Sequence, residues 1–196
     1  MDLVVVALTF GAIFVVELPD KTFIATLVLS TRLRPLLVWV GVALAFTVQT
    51  GVAVGLGHAA SFLPTDVVRT VAMLLFLAGA VILFREGRNH QVDDGAEYAA
   101  KARGVTGLRA VGTSFLVLFA AEWGDLSQLL TLTLVARYED PASVFVGALG
   151  ALLAVSGLAV LVGRALLRVV RLHTLHFAGA AVCLLLAGLA AYELLG

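Results

Sequence analysis

Charge is scarce in this chain. Of its 196 residues only 13% are Asp, Glu, Lys or Arg, about half the share of roughly 25% found in soluble domains. Basic and acidic residues balance at 13 each, so no basic surface argues for nucleic acid. Cysteine is almost absent. Cys183 stands alone in an apolar run, which excludes an internal disulfide and argues against a thiolate metal site. The opening "MDLVVV" has no basic stretch, and its apolar run leads into charges rather than a small-residue cleavage site, so a cleaved signal peptide is not expected. What fills the chain is apolar: 61% hydrophobic residues and a mean hydropathy of +1.07. That composition is an all-α integral membrane protein.

A helix needs about 20 mainly apolar residues to cross the bilayer. Six segments qualify, at about 3–31, 36–60, 67–84, 108–136, 142–168 and 174–195, if the first and fourth carry polar interruptions. Pro35, Pro64 and Pro141 fall at joints, where proline does least damage to a helix. The one long polar stretch, 85–107, divides the chain into a first three-helix unit (1–84) and a second (108–196); Glu97 and Lys101 predict a short solvated helix within it. Basic residues set the orientation. Arg32, Arg34, Arg85, Arg88, Lys101, Arg103, Arg109, Arg164, Arg168 and Arg171 fall on one side, against Arg69 and Arg137 on the other. The central loop is therefore expected in the cytoplasm, with both termini outside the plasma (inner) membrane.

The first half repeats in the second. Phe14–Arg32 aligns with Phe119–Arg137 at a shift of 105, with Phe14/Phe119, Glu17/Glu122, Asp20/Asp125, Thr26/Thr131, Leu27/Leu132, Leu29/Leu134 and Arg32/Arg137 identical. At a shift of 106, Pro35/Pro141, Gly41/Gly147, Gly51/Gly157, Ala53/Ala159 and Gly57/Gly163 coincide. Units of three helices must enter the membrane from opposite sides. The expected architecture is six transmembrane helices as two inverted three-helix repeats, with a site near the midplane where the interrupted first helices meet.

Glu17 and Asp20 are three apart, as are Glu122 and Asp125, which predicts each pair on one helical face. An ionised side chain at the bilayer centre costs roughly 2.5–3.5 kcal/mol, so four cost on the order of 10. That rivals the stability of a whole domain, and the acids need a ligand, protons or a partner. With hydroxyl and amide oxygens from Thr22, Ser127, Gln128 and Gln49, the donor set is hard and all-oxygen, suited to Mg²⁺, Ca²⁺ or Mn²⁺. No histidine or cysteine aligns with either motif, against zinc or copper. Pro19 is expected to free carbonyls near Val15 and Val16; Gly124 takes its place in the second copy. Lys21, four after Glu17, is expected to reach a motif carboxylate and to act as an internal counter-cation. A pair at about 4 Å and an effective dielectric near 20 is worth about 4 kcal/mol.

Other polar or small groups have plainer readings. Gly51-x-x-x-Gly55 predicts close helix packing, His173 and His176 interfacial residues, and Asp93, Asp94 and Glu97 a solvated loop. Trp39 reads as core or belt, and Trp123, inside the second motif, as a wall of the cavity.

Glu17-Leu-Pro-Asp-Lys-Thr22 and Glu122-Trp-Gly-Asp-Leu-Ser127 resemble the paired E-x-G-D-(K/R)-(T/S) signature of the GDT family. These are small cation/proton exchangers that include Golgi manganese/calcium transporters and bacterial manganese exporters. The resemblance covers essentially the whole chain. It implies export of Mn²⁺ and/or Ca²⁺ against protons, with Glu17, Asp20, Glu122 and Asp125 as ligands and Thr22 and Ser127 as supporting groups. Pro19 and Leu126 depart from the signature's glycine and basic residue. No cofactor is expected, and a homo-oligomer is compatible with the pattern. A passive cation channel would also use acids. A metal-dependent intramembrane enzyme would need a nucleophile or an activated water beside an organic substrate pocket. The two motifs show no asymmetry that would divide such roles, which favours transport.

Overall fold

Apolar runs without strand-type alternation fold as helices, and local turn chemistry decides where each one stops. The computed structural model of the chain describes residues 1–18, 20–62, 64–88, 94–169 and 172–195, and among these every regular element is a helix. They are α1 (Leu3–Glu17), α2 (Lys21–Arg32), α3 (Pro35–Ala60), α4 (Thr65–Arg88), α5 (Asp94–Lys101), α6 (Arg109–Ala121), α7 (Leu126–Tyr138), α8 (Pro141–Val169) and α9 (Leu172–Leu195). Parts of α4, α5, α8 and α9 are described by backbone alone, which leaves the side chains of Asp94, Glu97, His173 and His176, like the whole of Pro19 and Asp93, outside the described residues.

Pro35 and Pro141 open α3 and α8, and Pro64 directly precedes α4. A helix start tolerates proline because the missing N–H has no intrahelical partner there anyway. α5 spans Glu97 and Lys101, the short helix that their spacing predicts.

α3, Asp66–Arg85 of α4 and Pro141–Leu161 of α8 are each long and apolar enough to cross a membrane. The pairs α1+α2 and α6+α7 also pass that test, but each is bent by 71° at its break. Neither 3–31 nor 108–136 is thus a single interrupted helix; each is two helices meeting at a corner. α3 shows the character of the exterior. Leu36, Val40, Leu44, Val48, Val52 and Leu56 are exposed at four-residue spacing, while Val38, Val42, Ala45, Phe46, Gln49 and Ala53 are buried on the other side. Such an apolar stripe is a liability in water and the natural exterior in lipid. This is a multi-pass membrane protein.

The two halves pack alike. α1 lies on α8 as α6 lies on α3. A Cβ placed on Gly41 would meet Val111 O at 2.3 Å and Ser114 Cβ at 3.0 Å; one on Gly147 would meet Val6 O at 2.6 Å and Thr9 Cβ at 2.9 Å. The sequence shifts of 105 and 106 carry one set of residues onto the other. Phe10 and Phe14 stack at 5.6 Å, and their counterparts Phe115 and Phe119 at 5.5 Å. The expectation for Gly51-x-x-x-Gly55 is corrected here. Both glycines lie on the exposed side of α3, and a Cβ on either meets nothing within 4 Å. The close approaches fall instead at Gly41, Gly57 and Gly147, where a neighbouring backbone carbonyl takes the space.

One joint carries a pH signature. Asp140, just before α8, accepts hydrogen bonds from Ser143 N–H at 3.1 Å, from the Ser143 hydroxyl and from Asp2 N–H at 3.2 Å. Those bonds, chiefly from Ser143, hold its carboxyl below the usual 3.8. With a lowered folded pKa, the stabilisation is complete above the unfolded value and is lost as pH falls through the folded one. Asp140→Asn is therefore expected to lower the thermal midpoint at neutral pH, with the gap from wild type closing below pH 3.8. A gap of constant size down to the acid limit would show that the carboxylate charge contributes nothing.

Candidate metal centre

The site forms where two helices stop. α1 ends at Glu17, and Asp20 follows in extended conformation (φ −80°, ψ 164°) before α2 begins. In the second half α6 ends at Ala121, and Asp125 repeats that conformation (φ −74°, ψ 168°) before α7. The turn between them uses one i→i+3 bond in each copy, Asp20 N–H to Glu17 O and Asp125 N–H to Glu122 O, both 3.1 Å. Gly124 holds φ +77°, a left-handed value that a residue without Cβ adopts at little cost. An extended residue cannot continue the i→i−4 ladder, so Glu17 and Asp20 do not share a helical face, and neither do Glu122 and Asp125. The corner brings each pair together instead.

All four sequence-predicted acids converge. Glu17, Asp20, Glu122 and Asp125 each offer one carboxylate oxygen, and these four atoms lie within 4.8 Å of one another. One ion bound at about 2.3–2.6 Å by opposed oxygens would separate them by about 4.6–5.2 Å, so the spacing fits a single cation. Glu17 and Glu122 are buried, at 1% and 3% exposure. Each accepts from its own motif's hydroxyl: Thr22 Oγ1 donates to Glu17 Oε2 at 2.9 Å, and Ser127 Oγ to Glu122 Oε2 at 3.2 Å. Their other oxygens, Glu17 Oε1 and Glu122 Oε1, are buried without a hydrogen-bond partner, as are Asp20 Oδ2 and Gln49 Oε1. Unmatched buried acceptors on this scale are costly unless something cationic or protic meets them. Asp20 and Asp125 sit at the N-terminal ends of α2 and α7 without capping their own helices, so the positive ends of both dipoles face the cluster.

Lys21 crosses between the repeats. Its Nζ lies 3.2 Å from Asp125 Oδ1, with the lysine side chain 40% exposed and the aspartate 18%. The expected partner class is right, but the same-face argument from Glu17 is not what brings them together. Leu126, in the equivalent position, turns instead against Gly79 of α4.

The two glutamines differ from one another. Gln49 Nε2 donates to Phe119 O at 2.8 Å, satisfying a carbonyl in the last turn of α6, and leaves its own oxygen free. Gln128 Oε1 is already engaged, accepting Gly124 N–H at 2.8 Å, so it braces the corner rather than offering that oxygen to an ion. Beside Glu122 lies a cavity of about 10 Å³ lined by Gln49, Thr50, Ser127, Gln128 and Thr131 among others. That is room for about one water-sized sphere. Thr50 was missed by sequence reasoning; its buried hydroxyl is unpartnered, and the Gln-Thr pair inside an apolar helix was the available signal. Trp123 does not wall this space. It is 61% exposed and leans on Phe119 at 5.2 Å.

The sequence profile of the divalent cation/proton antiporter GDT1 family matches residues 5–91 and 110–196, almost the whole chain and both copies of the motif. The chain belongs to this family. GDT1 proteins are transporters, not enzymes. Among named relatives, the chain is 29% identical over 96% of its length to Protein PAM71, chloroplastic, of Arabidopsis thaliana, and covers 56% of that protein. It is 32% identical over 66% of its length to the GDT1-like protein sll0615 of Synechocystis, covering 70% of it. A Vibrio cholerae protein whose name marks it as a candidate manganese exporter is 32% identical over 76% of this chain, which spans 72% of it. The chain thus spans about half the length of its plant relatives and nearer three quarters of the bacterial ones. No solved structure matches. Of the two departures from the resembled signature, Pro19 lies outside the described residues, and Leu126 is the residue that packs against Gly79.

Proposed function

We propose that the chain is a secondary-active exchanger of Mn²⁺ and/or Ca²⁺ for protons, binding its ion at Glu17, Asp20, Glu122 and Asp125. The convergence of their oxygens to within 4.8 Å is the observation that carries this reading. Thr22, Ser127 and the free oxygen of Gln49 complete a hard, neutral second set of donors, and family membership supports divalent cations and protons as the two substrates. Metal and protons exclude each other because both need the same oxygens. The chain exports the ion by alternating access, working as six spans in two inverted repeats with the acids near the midplane. The paired contacts of Gly41 and Gly147 support the repeat, and the distribution of basic residues supports a cytoplasmic central loop in the plasma membrane. The bound ion belongs equally to both halves, so one half rocking on the other exposes it to either side.

The test is proton release from purified protein on addition of Mn²⁺, Ca²⁺, Mg²⁺ or Zn²⁺, paired with uptake into vesicles carrying a proton gradient. Release with Mn²⁺ or Ca²⁺ and concentrative uptake are expected. Flux that only runs down the cation's own gradient would instead identify a channel.

Lys21 makes a further prediction. Its ammonium pairs with Asp125 at 3.2 Å and offsets the charge of the four acids, so Lys21→Met should make apparent Mn²⁺ affinity fall more steeply as pH drops. Unchanged pH dependence of binding would uncouple Lys21 from the site.

A further inference from the structure

At the joint between α2 and α3 a cavity of about 190 Å³ opens against the start of α6, lined by Arg32, Arg34, Leu37, Thr106, Gly107 and Ala110 among others. Everything charged that lines it is positive. Among the described residues no carboxylate pairs with Arg32 or Arg34.

The repeat supplies an internal control. Counterparts of Arg34, Leu37 and Gly107 are Asp140, Ser143 and Asp2. There the chain closes the joint on itself: Asp140 takes the Ser143 N–H and hydroxyl, and Asp2 N–H donates to Ser143 Oγ at 2.7 Å. At the first joint Arg34 stands in place of the accepting carboxylate and Leu37 in place of the hydroxyl, so neither side-chain partner is present, and space remains.

Local helix chemistry is also inverted here. Arg34 is the N-cap of α3 and makes no capping hydrogen bond; Leu108 is the N-cap of α6 and makes none either, with Arg109 as its first helical residue. Cations at two uncapped helix starts oppose both dipoles. Local rules broken together in this way mark a place where something else completes the structure. An anion would meet both arginines, which are exposed and have no carboxylate partner among the described residues.

We propose that this cavity binds the phosphate of an anionic phospholipid headgroup, clamping the α2–α3 joint of the first repeat to the start of α6 in the second. The place fits a lipid. It lies where a broken span ends and the next begins, and a guanidinium pair forks onto phosphate oxygens more readily than onto a lone chloride.

The experiment uses the full chain purified in zwitterionic phosphatidylcholine and titrated with phosphatidylglycerol, read by retained lipid in native mass spectrometry and by thermal midpoint. Wild type is expected to retain phosphatidylglycerol and to gain stability from it. Arg32→Gln with Arg34→Gln should weaken retention by about tenfold or more, the loss of two sets of charge-assisted contacts. Binding of Mn²⁺ to that variant should stay at the wild-type level, which shows that it folds. A second variant, Arg34→Asp with Leu37→Ser, copies the Asp140–Ser143 pair onto α3. It should be more stable than wild type in phosphatidylcholine alone and indifferent to phosphatidylglycerol. Equal retention of phosphatidylglycerol by wild type and the double-glutamine variant would overturn the proposal. So would displacement of the lipid by millimolar inorganic phosphate, which would assign the cavity to soluble phosphate.

Discussion

Asp20→Asn and Asp125→Asn are each expected to reduce divalent-coupled proton exchange to background, a loss of roughly two orders of magnitude or more, beyond the 10–100-fold that disturbing a ligand's surroundings costs. Each aspartate supplies one of four oxygens that lie within 4.8 Å of one another, and an amide in its place keeps the shape but removes the charge. The two variants should differ in stability. Asp20 Oδ2 is buried without a partner, so neutralising it relieves a desolvation cost, roughly 2.5–3.5 kcal/mol on insertion scales. Asp125 holds Lys21 at 3.2 Å, and its loss leaves that ammonium unpaired, which offsets the gain. Asp20→Asn should therefore melt at or above the wild-type temperature, and Asp125→Asn close to it. Reconstituted protein with both aspartates replaced that still accumulated Mn²⁺ at the wild-type rate would sink the four-carboxylate site.

Gly41→Leu is expected to be the most damaging substitution for the fold. A Cβ there would sit 2.3 Å from the Val111 carbonyl oxygen, and a backbone atom in a packed helix cannot retreat as a flexible side-chain end can. Overpacking costs about 1–3 kcal/mol where side chains can adjust and more where they cannot. Separating α3 from α6 also displaces Gln49, whose amide bonds to Phe119 O beside the candidate metal centre, so ion binding at the proposed site should fail with the packing. Gly147→Leu should do the same at the α8–α1 contact, where the added carbon would meet Val6 O at 2.6 Å. Gly51→Ala is the control. Nothing lies within 4 Å of its added carbon, and replacing an exposed helical glycine should be neutral or gain up to about 1 kcal/mol. Thermal midpoints of the three variants in one detergent decide the matter, and equal midpoints for Gly41→Leu and Gly51→Ala would contradict the packing.

The four acids were legible because charge inside a long apolar run is expensive in a membrane, and its appearance twice at one spacing is not accidental. The glycines were half legible. Repetition picked out Gly41 with Gly147, but the Gly51-x-x-x-Gly55 spacing suggested packing where there is none, since spacing places residues on a face without saying what that face meets. Lys21 was legible as a counter-charge but not as a bridge to the other repeat.

By itself, then, the sequence determined the solvent, the helical class, the doubled motif and the chemistry of its oxygens, because composition and repetition are properties of the chain alone. Tertiary structure decided the rest. Whether Glu17 and Asp20 share a helix or flank a 71° corner depends on the packing around the break, not on their separation in sequence. Which acid Lys21 meets, which glutamine keeps a free oxygen, and which of two matched joints closes on itself depend on contacts between residues far apart in the chain. Those contacts follow from how two similar halves fit face to face, which neither half specifies alone.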